Sequence, residues 1–197
     1  MISPLSTPAP ESRAETLKAA NRPAHEALDQ RIMSARPFDD AHRYARFVMM
    51  QQALHHDAEP VYGNADLARC FGDLARLSRL QAVLLDGDDL GVPLDLAGRI
   101  PFCAGMDLPE SLGWLYVIQG SNLGAAFLAK AARRIGFSET RGARHLAEDP
   151  AGRAGQWRDF RLALDRVTLP PEDEARVIAG ANSAFGRARE LVERYMS

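Results

Sequence analysis

The chain has 197 residues, 46% hydrophobic and 25% charged, with a formal net charge of −2. That length predicts one domain with enough apolar residue to bury a core unaided, and the near-neutral charge excludes a bulk basic field for holding nucleic acid or an anionic membrane. Cys70 and Cys103 are far apart with no Cys-x-x-Cys partner, which excludes a disulfide framework and a thiolate metal site and fits a reducing compartment, the cytoplasm. Among the basic residues only Lys18 and Lys130 are lysines; all others are arginines.

Residues 1–10, MISPLSTPAP, read as a disordered tail, without the basic and apolar stretches of a signal peptide. Residues 11–197 read as one all-α domain of seven to nine helices, because helical periodicity dominates and β-branched runs are almost absent. The first helix spans Glu11 to Met33, with Leu17, Ala20, Ala24, Leu28 and Ile32 on one stripe. Pro23 either kinks it or sits in the first turn of a fresh helix capped by Asn21. A second helix opens at Asp39 or Asp40 and runs to Tyr62, followed by short helices over 64–71 and 73–85. Asp86-Gly-Asp-Asp-Leu-Gly91 through Pro101 reads as a loop. A long helix runs from Pro109 to Ile135 with Gly136 past its end. Another starts at Ser138, one spans 151–166, and the last runs from Pro170-Pro171 to Tyr195.

Three segments offer chemistry. In the long helix Gly113, Gly120 and Gly124 fall on one face by their spacing of seven and four, and each interior Gly costs roughly 1 kcal/mol against Ala. Two explanations are available: close packing of another helix, or a flat ligand lying on bare backbone with the Ser121 hydroxyl beside it. In the first helix, Lys18 precedes His25 by seven residues; if the helix is continuous, an imidazole and a cation share a face about 10 Å apart. That pairing suits a metal macrocycle with carboxylates on its rim. In the second helix His55 and His56 point about 100° apart and cannot easily share one ion; periodicity puts His55 nearer the core. A di-iron centre wants Glu-x-x-His pairs, and the nearest string, His145-Leu-Ala-Glu148, runs in reverse. Nucleotide-binding glycine motifs, GxSxG and HExxH are absent, and the arginine-rich stretches read as solvated faces.

The string Gly-Trp-Leu-Tyr-Val-Ile-Gln-Gly-Ser-Asn-Leu-Gly-Ala-Ala-Phe at 113–127 resembles the distal helix of bacterial haem oxygenases. Gly-Ala-Arg-His-Leu-Ala-Glu (142–148), His-Asp-Ala-Glu-Pro-Val-Tyr (56–62) and Pro-Ala-His-Glu around His25 extend the resemblance over nearly the whole chain. It implies haem clamped between the first and the glycine-rich helix, with His25 as axial iron ligand and Gly120 and Gly124 as backbone over the haem face. Ser121 stands where the mammalian branch has an Asp that organises distal water. The resemblance favours His56 over His55 as a distal-pocket histidine. It implies Lys18 and Tyr116 as propionate contacts, with Lys130 and Arg187 as further ones, and Phe185 packing on the haem edge.

The activity so implied is cleavage of haem to biliverdin, carbon monoxide and ferrous iron. Haem serves as cofactor and substrate, O2 as oxidant, and electrons come from a separate ferredoxin or flavin reductase; a bilin-accepting protein is a further expected partner. Two other readings use the same residues: a haem carrier or sensor without turnover, and a helical interaction domain that binds no haem.

Overall fold

The computed structural model describes residues 12–149 and 152–197, so the expected tail at 1–10 lies outside the described residues. Seven α-helices are present among them: α1 (Arg13–Ser34), α2 (Ala41–Tyr62), α3 (Ala65–Phe71), α4 (Leu80–Asp89), α5 (Leu108–Arg134), α6 (Arg153–Arg166) and α7 (Pro171–Tyr195). Short 3-10 turns at Leu74–Leu77 and Arg144–Leu146 join them, and the described residues contain no β-strand.

Helix starts follow the side chains. The carboxylate of Asp40 accepts from the Arg43 amide at the head of α2, and the Asn64 side chain accepts from Asp66 and Leu67 at the head of α3. Helix α5 opens on Asp107 with proline in its first turn, and α7 opens on Pro170-Pro171. Of the two readings of Pro23, a single continuous α1 holds. The start of that helix is clamped by Arg13, which donates to both carboxylate oxygens of Glu174 and to Val167 O at 2.8 Å.

Three elements differ from expectation. The helix expected over 73–85 breaks at Ser78 and Arg79 into a 3-10 turn and the start of α4. The stretch from Asp86 continues α4 to Asp89, because Asp86 is fully buried and its carboxylate accepts from the backbone N–H groups of Arg144 and His145, both at 2.9 Å. Gly87 makes room for Gln52: a Cβ there would lie 2.6 Å from its amide nitrogen, and the same amide donates to Val92 O and accepts from Leu94 N. The helix expected at Ser138 is a tight turn in which Ser138 and Arg141 exchange backbone hydrogen bonds. Gly136 and Gly142 have φ of 92° and 76°, a left-handed backbone that punctuates a helix rather than continuing one.

The core has two contiguous halves. Leu17, Val61, Leu67, Trp114, Leu115, Leu164 and Val177 build one; Tyr44, Phe47, Val48, Met50, Val83, Leu191 and Val192 build the other. Helices α1 and α5 both pack on α7, and α5 with α7 is the tightest crossing. There Gly113 and Gly180 let the two backbones touch: a Cβ on Gly113 would lie 2.1 Å from Val177 O, and one on Gly180 would lie 2.4 Å from Glu110 O.

Candidate functional site

Although α1 and α5 share α7 as a floor, they have next to no direct contact with each other. The residues along this gap are exposed where their position on the helix predicts burial. Ser121 follows Trp114 by seven residues and precedes Ala125 and Ala132 by four and eleven, all three buried, yet Ser121 itself is exposed. Gly124 is exposed as well, and a Cβ there would meet nothing within 4 Å. Leu123 and Phe127, 44% and 64% exposed, extend this uncovered apolar surface.

The three glycines of α5 therefore divide. Gly113 serves helix packing, Gly120 sits under the Trp157 ring with an added Cβ only 3.6 Å from it, and Gly124 lines open space. Tyr116 also packs on Trp157, ring centroids 5.8 Å apart, and burial raises its phenol pKa against a lowering by Arg161. The Ser121 hydroxyl donates to Ile118 O at 2.7 Å, so it presents lone pairs rather than a proton to anything in the gap.

Across the gap, His25 projects from α1 with a side chain 60% exposed, its ring edge-on to Phe185 of α7 at 5.8 Å. One ring nitrogen, Nδ1, lies 3.5 Å from the Asp29 carboxylate, leaving Nε2 free. A carboxylate behind one imidazole nitrogen orients the ring and makes the other nitrogen a better metal ligand. Sequence reasoning missed Asp29, although its signal, an acid four residues after the histidine, was in plain view. Lys18 is on the same face of the now continuous α1; it and Lys130 are exposed, with no ion pair among the described residues.

The structure does not bring His56 and Arg187 to this gap. Arg187 is two residues beyond Phe185, about 200° around α7, and its Nε donates to Asp57 Oδ2 at 2.8 Å. His56 lines a separate cleft beside that ion pair. His55 is the interior histidine: burial first, then the nearby His145 and Arg79, lower its pKa to about 3. It is neutral at physiological pH, with Nδ1 buried and unpartnered, as is His145 Nε2. Helical periodicity had favoured His55 for this reason; the motif comparison had not. Nearby, Gln119 donates to the Tyr62 hydroxyl at 3.0 Å, so a polar cluster backs the wall of α5 beside Gly120.

The sequence pattern of the family described as "Heme oxygenase" matches residues 11–194. The chain belongs to the haem oxygenase family. It is 41% identical to heme oxygenase PigA of Pseudomonas aeruginosa over 196 residues, covering 96% of this chain and 98% of that protein. A heme oxygenase of Xanthomonas campestris pv. campestris is 36% identical over 112 residues, 54% of this chain and 62% of its own. Among solved structures, the NO- and CO-bound heme oxygenase of Neisseria meningitidis superposes with a TM-score of 0.88 at 35% identity, covering 94% of this chain and 92% of that one. The heme oxygenase of Leptospira interrogans shares the fold, with a TM-score of 0.76 at 17% identity over 93% and 99% of the two chains. In this haem oxygenase no helix among the described residues is long and apolar enough to cross a membrane.

Proposed function

We propose that this haem oxygenase binds haem in the gap between α1 and α5, where His25 Nε2 would hold the iron, and cleaves it to biliverdin, carbon monoxide and ferrous iron. The observation that carries the placement is the pairing of an exposed, carboxylate-backed histidine on one wall with bare glycine backbone on the other. The donor set fits the group: an imidazole for the iron, with Leu123 and Phe127 as exposed apolar contact surface. When bound, haem supplies the iron that activates O2 and is itself the molecule cleaved.

The chain's own residues position and select. The Asp29 carboxylate, 3.5 Å from His25 Nδ1, favours the tautomer with its proton on that nitrogen and so leaves Nε2 to the iron. Phe185 holds the imidazole plane by its edge-on contact. The absence of a Cβ at Gly124 would let a flat macrocycle lie directly against the helix backbone. Gly120 continues that surface, and the Ser121 oxygen, whose proton is given to Ile118 O, keeps its lone pairs for a donor there. Lys18, Tyr116 and Lys130 are the candidate propionate contacts. His56 and Arg187 are left out of the site by their position. Electrons arrive from a separate reductase of the ferredoxin or flavin type, since the chain carries no flavin or nucleotide motif.

Mixing the protein with hemin and adding ascorbate or a reductase tests this reading: a bilin product is expected, and a stable Soret band with no bilin would identify a carrier instead. In His25→Ala the histidine-ligated spectrum and turnover should both disappear; an unchanged spectrum would remove His25 from the iron. Gly124→Leu isolates the opposite wall. Its side chain enters empty space and gains helix propensity of up to ~1 kcal/mol, so the thermal midpoint should hold or rise. Hemin affinity should fall at least ~10-fold, equivalent to about 1.4 kcal/mol.

A further inference from the structure

On the far side of α7 from His25, a cleft of about 70 Å³ lies between α2, α7 and the segment linking α4 to α5. Three arginines (Arg99, Arg187 and Arg194) and His56 line it, against the single carboxylate of Asp57. That carboxylate is already committed. Its Oδ1 accepts from Phe102 N at 3.1 Å, its Oδ2 accepts from Arg187 Nε, and Arg187 completes its pairing with Glu190 at 2.9 Å. Among the described residues neither Arg99 nor Arg194 has a carboxylate partner, and the Tyr195 ring lies 5.5 Å from the Arg194 guanidinium. Two arginines without a carboxylate partner among the described residues thus line one concave spot beside an imidazole, a like-charged lining that favours an anion between them.

From this geometry we infer that the cleft is an oxyanion site, independent of the haem gap, for a small ligand of charge −2 such as a phosphate or a short dicarboxylate. Forked guanidinium donors match the oxygen pairs of such groups, the volume admits a single phosphate-sized head, and the imidazole of His56 supplies a further N–H. The loop carrying Arg99 is pinned to α2 at Phe102 and Cys103 through Asp57, so an anion bridging Arg99 to Arg194 ties that loop to α7 as well.

Inorganic phosphate is the probe. The full chain is titrated with sodium phosphate, with sodium chloride at matched ionic strength as reference, following the thermal midpoint and the NMR resonances of the arginine Nε–H groups and the His56 ring. A saturable rise in midpoint, with shifts at Arg99, Arg194 and His56, is expected in phosphate alone. Arg99→Gln/Arg194→Gln, both changes on the surface, should keep the far-UV spectrum and weaken phosphate binding at least ~10-fold. Equal stabilisation by chloride, or unchanged phosphate affinity in the double variant, overturns the assignment. A second arm adds malonate: competition with phosphate assigns a general dianion site, and no competition assigns a phosphate-selective one. Preloading with hemin should leave phosphate affinity unchanged; mutual exclusion would place the anion in the haem gap and overturn its independence.

Discussion

Gly113→Ala is expected to destabilise the fold by about 3 kcal/mol, lowering the thermal midpoint by about 6–12 °C for a chain of this size. The added methyl lands 2.1 Å from Val177 O and 2.5 Å from Ala181 N. Both obstacles are backbone atoms of α7, so no side-chain rotation relieves the clash and the two helices must separate. Overpacking costs 1–3 kcal/mol in ordinary cores and more when nothing can yield; about 4 kcal/mol here is offset by the ~1 kcal/mol of helix propensity that Ala gains over Gly. Gly180→Ala meets Glu110 O at 2.4 Å and should behave alike. Gly124→Ala meets nothing and should be stabilising. Thermal melts of the three variants check the ranking; a neutral Gly113→Ala would show that the crossing is looser than described.

The three glycines of α5, Gly113, Gly120 and Gly124, show what the sequence could and could not disclose. Their spacing of seven and four placed them correctly on one face, but a helix 27 residues long changes neighbours along its length. Gly113 meets α7, Gly120 meets Trp157 of α6, and Gly124 meets nothing. One pattern thus covers three environments, and only tertiary packing separates them. Helix number and most boundaries were legible because capping residues and periodicity are local. The misread stretches, Asp86–Asp89 and Ser138–Gly142, are held by each other across more than fifty residues: Gly142 N donates to Asp89 at 2.8 Å, and Arg144 and His145 donate to Asp86. Such a long-range exchange overrides the turn chemistry of Asp and Gly and leaves no mark in either segment alone. Likewise, the 100° between His55 and His56 was legible, and the periodicity of α2 already put His55 nearer the core; that His145 comes to lie beside it depended on tertiary packing.

That exchange carries the second large effect. Asp86 is fully buried, accepts from two backbone N–H groups, and contacts His145 Nδ1 at 2.7 Å and Arg144 Nη1 at 3.2 Å. Burial alone raises its pKa; the His145 side chain, followed by the two backbone donors, outweighs burial and holds the carboxyl below its usual range. Asp86→Ala removes the acceptor from all four donors and leaves His145 buried beside a cavity, so a loss of about 3–5 kcal/mol is expected, as when one partner of a buried pair is deleted. Because the folded pKa of Asp86 is depressed, its charge-dependent contribution is present above the unfolded value, about 3.9, and is lost as pH falls through the folded value. Denaturant melts of wild type and Asp86→Ala should therefore differ most near neutrality and converge only in acid below about pH 4. A gap that stays constant to pH 3 would assign the stabilisation to packing rather than to the charge on Asp86. Because His145 lies beside His55 behind the α5 wall, the same variant should also loosen the polar cluster backing the proposed haem gap. Hemin turnover should then decline more steeply with temperature than in wild type, even where the protein remains folded.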